Sequence, residues 1–309
     1  MVTTRTYSFE SVDGVTIHGV CMVPENPVAI LQMVHGMNEH KDRYTSFMQA
    51  MAERGYIVLM HDNRGHGQSI NSPDDIGYCY KLMEKGYVED AHMATRRIRE
   101  KYPDLPLILY GHSMGSLIVR AYLKKYDSDI DGLFVSGCPS YTPAVPFGKL
   151  LVKMMKLIKG ERYRSSFINE LAVGSFNKPF EAEGRRNAWL SCDSEVSDKF
   201  NADKLCQFVY TLNGYQSLLN LEWTVYKEKG YNVSNKLLPI LFVSGEDDPC
   251  YINEKKWNQA LERMRNLGYM NVSGLLVEGM RHEIHNEADK ELIFTQIDKF
   301  CRKSIENLK

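Results

Sequence analysis

The feature that most constrains the fold of this chain is the alternation of short apolar runs with segments of helical periodicity. Two of these runs, Leu-Ile-Leu-Tyr at 107–110 and Ile-Leu-Phe-Val at 240–243, are apolar at every position. Such runs are typical of strands that are buried on both faces of a sheet. Strands that alternate with amphipathic helices indicate βαβ units. The sequence therefore predicts an α/β fold with a mostly parallel, doubly wound sheet.

Eight strands and five helices are predicted for this sheet. The strands are at 6–10, 15–23, 28–35, 57–62, 105–110, 132–137, 238–244 and 272–278. The helices are at 44–54, 88–101, 114–126, 254–267 and 290–305. The first two strands are separated by a turn that contains Asp13 and Gly14, and an Asp-Gly pair favours a hairpin. We therefore expect the sheet to begin with an antiparallel pair.

One stretch interrupts the alternation. Residues 139–236 show helical patterning but no convincing central strand, and a segment of that length between two sheet strands is typical of an insertion. We expect residues 1–138 and 237–309 to form the core, and residues 139–236 to form a helical cap.

Composition excludes several classes of function. The chain has 309 residues, a net charge of −1 and 43% hydrophobic residues, which are the values of an ordinary globular protein. This charge gives no basic field, so we expect no nucleic-acid partner. Seven cysteines without a Cys-x-x-Cys pair fit a reducing compartment. Because we find no secretory signal and no apolar run of about 18 residues, we expect a soluble, cytoplasmic protein.

The pentapeptide Gly111-His112-Ser113-Met114-Gly115 matches Gly-x-Ser-x-Gly. In this motif a strand turns sharply into a helix and exposes a serine hydroxyl at the edge of the sheet. The motif follows the apolar run 105–110 and precedes the amphipathic helix 114–126, which is the context it requires. Ser113 is therefore a candidate nucleophile.

A serine nucleophile needs a base and an orienting carboxylate, which follow it in the order acid, then histidine. The strand at 238–244 ends in the acidic cluster 246–248, and the strand at 272–278 is followed by His282. We expect His112 to point away from the nucleophile, and we assign both His112 and His285 to structure. Since His-x-x-His without a third ligand is a weak metal motif, no metal site is predicted.

The same chemistry requires two backbone N–H donors for the oxyanion. One candidate is the amide of Met114, which follows the nucleophile at the start of a helix. The second donor should come from the loop after the third strand, where Met37 is the candidate.

Three motifs together resemble the monoacylglycerol lipase and lysophospholipase group of serine α/β-hydrolases. They are residues 35–40 (HGMNEH) followed by Arg43-Tyr44, residues 62–69 (DNRGHGQS) and residues 111–115 (GHSMG). The resemblance implies an α/β-hydrolase fold without a cofactor. It selects Asp248 rather than Asp247 as the acid, His282 in a Gly-x-x-His segment as the base, and Met37 as an oxyanion residue.

Other residues of these motifs bear on the site or on the fold. Asn38 stands where many members of the group have a small residue, so it is assigned to the acyl entrance. Asp62 and Arg64 match the group but are expected to be structural. A charged pair at a buried strand end would normally be compensated by partners.

A basic amphipathic helix is predicted near residues 147–159. It has an apolar stripe and interleaved lysines. The stripe contains the candidate substrate-binding residues Leu150, Leu151, Met154 and Met155. We expect this stripe to cover the active site, and weak peripheral association of the helix with an anionic lipid surface is a compatible alternative. The aromatic-rich segment 189–215 is expected to complete the roof of the pocket.

The function that these residues favour is hydrolysis of a carboxylic ester, such as a monoacylglycerol or a lysophospholipid. An aminopeptidase of the same fold is the alternative, and it would need cap carboxylates such as Glu181, Glu183, Asp193 or Glu195 to hold a free amine. A non-enzymatic receptor would not need all three triad positions. Dehalogenase and epoxide hydrolase chemistry is disfavoured, because the nucleophile position holds Ser113 and not a carboxylate.

Overall fold

The computed structural model describes residues 1–306, and its centre is one eight-stranded sheet. The strands are β1 (Val2–Glu10), β2 (Thr16–Pro24), β3 (Ala29–Val34), β4 (Tyr56–His61), β5 (Leu107–His112), β6 (Gly132–Ser136), β7 (Ile240–Gly245) and β8 (Val272–Val277). Their order in the sheet is β1-β2-β4-β3-β5-β6-β7-β8. Strand β2 pairs antiparallel with β1 and β4, and the remaining pairs are parallel. The predicted fold class and the antiparallel start are therefore confirmed.

Helices cover both faces of the sheet. The five helices that pack on it are α1 (Thr45–Glu53), α2 (Glu84–Lys101), α3 (Met114–Tyr126), α8 (Glu254–Asn266) and α9 (Lys290–Glu306). Helices α1 and α9 cover one face, and α2, α3 and α8 cover the other. Neighbouring residues of β5 point to opposite faces of the sheet. Leu109 packs with α2, α3 and α8, and Tyr110 packs with α1 and α9. Helix α2 begins one turn earlier than the apolar pattern predicts.

Four α-helices lie between β6 and β7. They are α4 (Val145–Lys159), α5 (Ser166–Val173), α6 (Ser194–Ala202) and α7 (Leu212–Tyr226). Between residues 139 and 236, all of which the structure describes, there is no strand of the central sheet. Helix α7 packs on α2 and α3, and α4 packs on α7. Within residues 1–306, no helix combines the length and the apolar character that crossing a bilayer requires.

Two charged residues of the 62–69 motif are buried and paired. The guanidinium of Arg64 donates hydrogen bonds to the carboxylates of Asp90 and Asp13. The carboxylate of Asp62 accepts hydrogen bonds from the backbone N–H and the ammonium group of Lys41. These contacts compensate the buried charges, as the sequence analysis expected. They also fix the loop after β3 against the end of β4.

Candidate active site

Ser113 lies at the turn between β5 and α3, with a backbone φ of 54°. A positive φ is unfavourable for a residue with a side chain, so the surrounding structure must hold it. The two glycines of the motif permit this turn. A Cβ atom on Gly111 would lie 2.4 Å from the carbonyl oxygen of Gly115, and one on Gly115 would lie 2.1 Å from the carbonyl oxygen of Val34. The sequence folds into a sharp turn here because both positions lack a Cβ.

The loop after β8 carries His282, and the loop after β7 carries Asp248. Nδ1 of His282 lies 2.9 Å from Oδ2 of Asp248, and both side chains are buried. The same Oδ2 accepts a hydrogen bond from the hydroxyl of Ser244, and Oδ1 accepts one from the N–H of Cys250. Asp247 is exposed. The structure thus brings Asp248, and not Asp247, to the histidine.

The electrostatics of this pair follow from burial and from mutual attraction. Burial by itself lowers the pKa of His282, but the charge and the hydrogen bond of Asp248 outweigh it and raise the pKa above its ordinary value. Burial raises the pKa of Asp248, but the interactions with His282, Ser244 and the N–H of Cys250 together lower it. The carboxylate therefore stays ionised and stabilises a positively charged imidazole.

The loop after β3 approaches the serine closely. A Cβ atom on Gly36 would lie 2.9 Å from Cβ of Ser113, so the loop can pass only with a glycine there. The next two residues, Met37 and Asn38, line the same cavity as Ser113. Asn38 has a φ of 57°, and its amide donates a hydrogen bond of 2.6 Å to the carbonyl oxygen of Phe208. Met114 is the first residue of α3, and its side chain is buried.

Ser113 and His282 open into one cavity of about 300 Å³. Residues from the segment between β6 and β7 form most of its wall, and more of them are apolar than polar. The apolar group is Val173, Phe176, Trp189, Leu190, Phe200, Phe208 and Val209, and the polar group is Asn169, Arg186, Asn187 and Gln207. The Trp189 ring lies 4.8 Å from the ring of His282, measured between centroids. Part of segment 189–215, which was expected to form a roof, therefore lines the cavity of the candidate nucleophile.

Helix α4 does not reach this cavity. In the described chain, the cavity lining does not include the predicted residues Leu150, Leu151, Met154 and Met155. Leu150 and Met154 expose 56% and 54% of their surface, and Leu151 and Met155 pack against the main core. The expectation that α4 covers the site is not matched, because α4 packs along α7 instead. Helix α5 and the segments next to α6 take that place.

Two further histidines lie beside His282. The expectation that His112 points away is wrong, since its ring lies 4.6 Å from that of His282 and contacts the cavity. The orientation of His112 follows from the pairing of β5 with β6, which places His112 opposite Ser136. Nδ1 of His112 lies 3.2 Å from the hydroxyl oxygen of Ser136. His285 is buried and stacks on Tyr44. Burial lowers the pKa of His285 to about 3, which keeps this ring neutral.

The loop of His282 is fastened on two sides. Its backbone N–H groups at 282 and 283 donate to the carbonyl oxygens of Trp189 and Leu190. The guanidinium of Arg43 donates to Glu39 and, through both terminal nitrogens, to Glu283. The loop after β3 and the loop after β8 are therefore joined by one buried arginine.

Comparisons with known proteins agree with this fold. The model of the family described as serine aminopeptidase, S33, matches residues 25–289. The chain belongs to this family. It is a serine hydrolase with the α/β-hydrolase fold, and it is similar to monoacylglycerol lipases.

Individual relatives are distant in sequence. The chain is 26% identical over 293 residues to a monoacylglycerol lipase of Mycolicibacterium smegmatis, with 94% of each chain covered. It is 27% identical over 286 residues to an uncharacterized abhydrolase domain-containing protein of Dictyostelium discoideum. That match covers 92% of this chain but 27% of the longer relative. A carboxyl esterase structure from Bacillus coagulans, in complex with glycerol, has a TM-score of 0.90 and 24% identity, with 98% and 99% of the two chains covered.

Proposed function

We propose that the protein hydrolyses carboxylic esters with a single acyl chain, such as monoacylglycerols or lysophospholipids, through an acyl-enzyme on Ser113. One observation carries this proposal: the hydrogen-bonded pair of His282 and Asp248 lies at the cavity into which Ser113 opens. A serine hydroxyl beside a buried, oriented imidazole is the arrangement that activates a nucleophile.

The reaction proceeds in two halves. Ser113 Oγ attacks the ester carbonyl carbon while Nε2 of His282 takes its proton, and the backbone N–H groups of Met37 and Met114 bind the oxyanion. The tetrahedral intermediate then expels the alcohol, which takes the proton from His282. Water repeats the sequence on the acyl-enzyme and releases the carboxylic acid. Asp248 keeps its negative charge throughout and stabilises the imidazolium.

The cavity supports an apolar acyl group of limited size. Its wall contains Phe176, Trp189 and Phe208, which offer contact area but little hydrogen bonding. A volume of about 300 Å³ lies at the lower end of the range for ligand pockets, which favours one acyl chain over the several chains of a triacylglycerol. The name of the Mycolicibacterium relative, monoacylglycerol lipase, is consistent with this substrate class.

The aminopeptidase alternative has less support. It requires a carboxylate that holds the free amine of the substrate. The four cap carboxylates considered for this role, Glu181, Glu183, Asp193 and Glu195, are absent from the described lining of the cavity. Glu183 is bound to Arg281 and Arg185 instead. The two carboxylates that do line the cavity, Glu39 and Glu283, are both bound to Arg43, and the wall also contributes a cation, Arg186.

We further propose that residues 139–236 act as a cap on a core of residues 1–138 and 237–309.

We also propose that helix α4 binds weakly to an anionic lipid surface. Leu157 and Ile158 expose 81% and 76% of their surface. Lysines 149, 153, 156 and 159 lie on the same helix and complement an anionic surface. Co-sedimentation with anionic vesicles should fall in Leu157→Glu and stay unchanged in Leu292→Glu, a half-exposed leucine of α9.

A fluorophosphonate probe tests the main proposal. The probe should label the wild-type chain at residue 113, and Ser113→Ala should lose both labelling and several orders of magnitude of turnover. Ser72→Ala removes an exposed serine and is the matched control, which should behave like the wild type. Equal labelling of Ser113→Ala and wild type would refute the assignment. Parallel assays with a monoacylglycerol and an aminoacyl anilide decide between the two hydrolase classes.

A further inference from the structure

A second group of chemically competent side chains lies beside the active site, where the loop after β3 meets the turn after α6. Nε2 of His40 lies 2.7 Å from Oδ2 of Asp203. The ligand atoms of His40, Asp203 and Cys206 all lie within 4.8 Å of one another. The exposed fractions of His40 and Cys206 are only 6% and 3%. An imidazole, a carboxylate and a thiol converge there, and only Asp203, with 31% of its side chain exposed, reaches the solvent.

We propose that His40, Asp203 and Cys206 form a zinc site, distinct from the catalytic residues. Imidazole nitrogen, carboxylate oxygen and thiolate sulfur are the ligands that Zn²⁺ takes in proteins, and a thiolate favours Zn²⁺ over Mg²⁺ or Ca²⁺. The ion binds Nε2 of His40 and Oδ2 of Asp203 in place of the proton between them, and His40 stays neutral by carrying its one ring proton on Nδ1, toward Asp42. The thiol of Cys206 loses its proton to solvent when it binds, and a fourth position is left for water from the cavity that Cys206 lines.

The surroundings of the group are those of a cation site. The other ring nitrogen of His40, Nδ1, is buried and has no hydrogen-bond partner among the described residues. A carboxylate oxygen of Asp42 lies 3.7 Å from this Nδ1. A zinc-bound histidine normally donates its other ring N–H to such a carboxylate. The nearby cation, Arg43, is already matched by Glu39 and Glu283. The carboxylate of Asp203 is therefore left to attract a metal ion, and the Cys206 thiol, whose pKa burial raises, gives up its proton only as the ion binds.

The position of the site gives it a consequence. Asp203 and Cys206 belong to the turn after α6, whereas His40 belongs to the loop that carries Met37. A bound ion ties the roof of the cavity to this loop, and so we expect Zn²⁺ to slow the entry of substrate. His40 and Asp203 are 163 positions apart in the chain, so the site cannot be recognised from a short sequence motif.

Metal titration of the full chain tests the proposal without reference to activity. We expect one Zn²⁺ to bind per chain, and Co²⁺ to give a thiolate-to-metal charge-transfer absorption band. Cys206→Ser should lose this band, and His40→Gln should weaken Zn²⁺ binding about tenfold or more. Cys206→His, which keeps a ligand, should bind Zn²⁺ but show no thiolate band. Thermal unfolding of each variant shows whether it is folded.

Two cysteine variants serve as controls. Cys192→Ser removes an exposed thiol, and Cys250→Ser removes the thiol that lies beside Asp248 and His282. Both should keep the band. Loss of the band in Cys250→Ser but not in Cys206→Ser would place the metal at the catalytic pair and overturn the proposal, as would absence of any band in the wild type.

An activity measurement extends the test and rests on the proposed ester hydrolysis. Zn²⁺ should lower kcat/KM of the wild type, and each variant is compared with itself with and without Zn²⁺. Cys206→Ser should lose most of the zinc effect. Because metal binding is measured separately, failure of the zinc site and failure of the ester hydrolase assignment give different results.

Discussion

Arg43 and Glu283 form a bidentate pair, with both terminal nitrogens of the guanidinium 2.8 Å from the two carboxylate oxygens. The two residues are 240 positions apart, and the pair is buried. Burial raises the pKa of Glu283, but the attraction of Arg43 outweighs it and holds that pKa below the ordinary value. The carboxylate thus stays ionised next to the loop that carries His282.

Removal of Arg43 should lower the free energy of unfolding substantially. In Arg43→Met the carboxylates of Glu39 and Glu283 lose their shared cation, and an uncompensated buried charge costs about 3–5 kcal/mol. Arg43→Lys should retain part of the stability but lose the two-pronged contact. Urea denaturation of both variants measures the effect. A control is Arg96→Met, which removes a surface arginine and should change stability by less than about 0.5 kcal/mol.

The choice of the acid can be tested by comparing neighbours. Asp248→Asn should lower kcat by about 10⁴-fold, because an amide there favours the wrong tautomer of the imidazole. Asp247→Asn changes an exposed side chain and should leave kcat within a few-fold of the wild type. A larger loss in Asp247→Asn than in Asp248→Asn would transfer the role to Asp247.

The pH dependence follows from the same pair. His282 must be neutral to accept a proton, so kcat/KM should fall as the pH drops through the pKa of His282. Burial lowers this pKa, but Asp248 raises it above the ordinary histidine value. Asp248→Asn removes the largest influence that raises the pKa of His282, and leaves the lowering effect of burial against the weaker attraction of Glu283 and Glu39. The acidic limb of the residual activity should therefore move to lower pH. An unchanged or upward shift would contradict the proposed electrostatics.

The positive φ of Ser113 predicts a trade-off between activity and stability. Both Ser113→Ala and Ser113→Gly remove the nucleophile, but only glycine also removes the Cβ atom that is unfavourable at a φ of 54°. We expect Ser113→Gly to be about 1 kcal/mol more stable than Ser113→Ala. Differential scanning calorimetry of the two variants gives the comparison. Equal stability would mean that the turn is not strained.

Acyl chain length should appear mainly in KM. Each methylene buried in the cavity gains at most about 0.8 kcal/mol, which corresponds to about fourfold in affinity. Contacts made equally in the ground state and the transition state lower KM without changing kcat. A series of esters from acetyl to palmitoyl should show KM falling until the chain fills the cavity. Efficient cleavage of an aminoacyl anilide with negligible hydrolysis of every ester would favour the aminopeptidase.

Much of this molecule could be predicted from local sequence. Strands such as β5 and β7 contain continuous apolar runs, and the two strand ends that carry Asp248 and His282 follow from the order of the chain. The turn at Ser113 was predictable because Gly111 and Gly115 leave room for it. In each case the information lies within a few residues.

The wall of the cavity could not be predicted in this way. Helix α4 has the most pronounced apolar stripe of the inserted segment, yet Phe176 and Phe208, in less regular stretches, line the cavity. The stripe shows that α4 has an apolar face but not which surface meets it. Likewise, His40 and Asp203 become neighbours only through the packing of the segment around α6 onto the loop after β3.

The order in which the chain is synthesised has a consequence for the cell. Ser113 leaves the ribosome early, after β5, whereas His282, the base that we propose for it, follows β8, near the last helix. A nascent chain, or a fragment released after premature termination, carries a serine with no base beside it. If His282 is the base, we expect such products to lack ester hydrolase activity until the last strand of the sheet has been added.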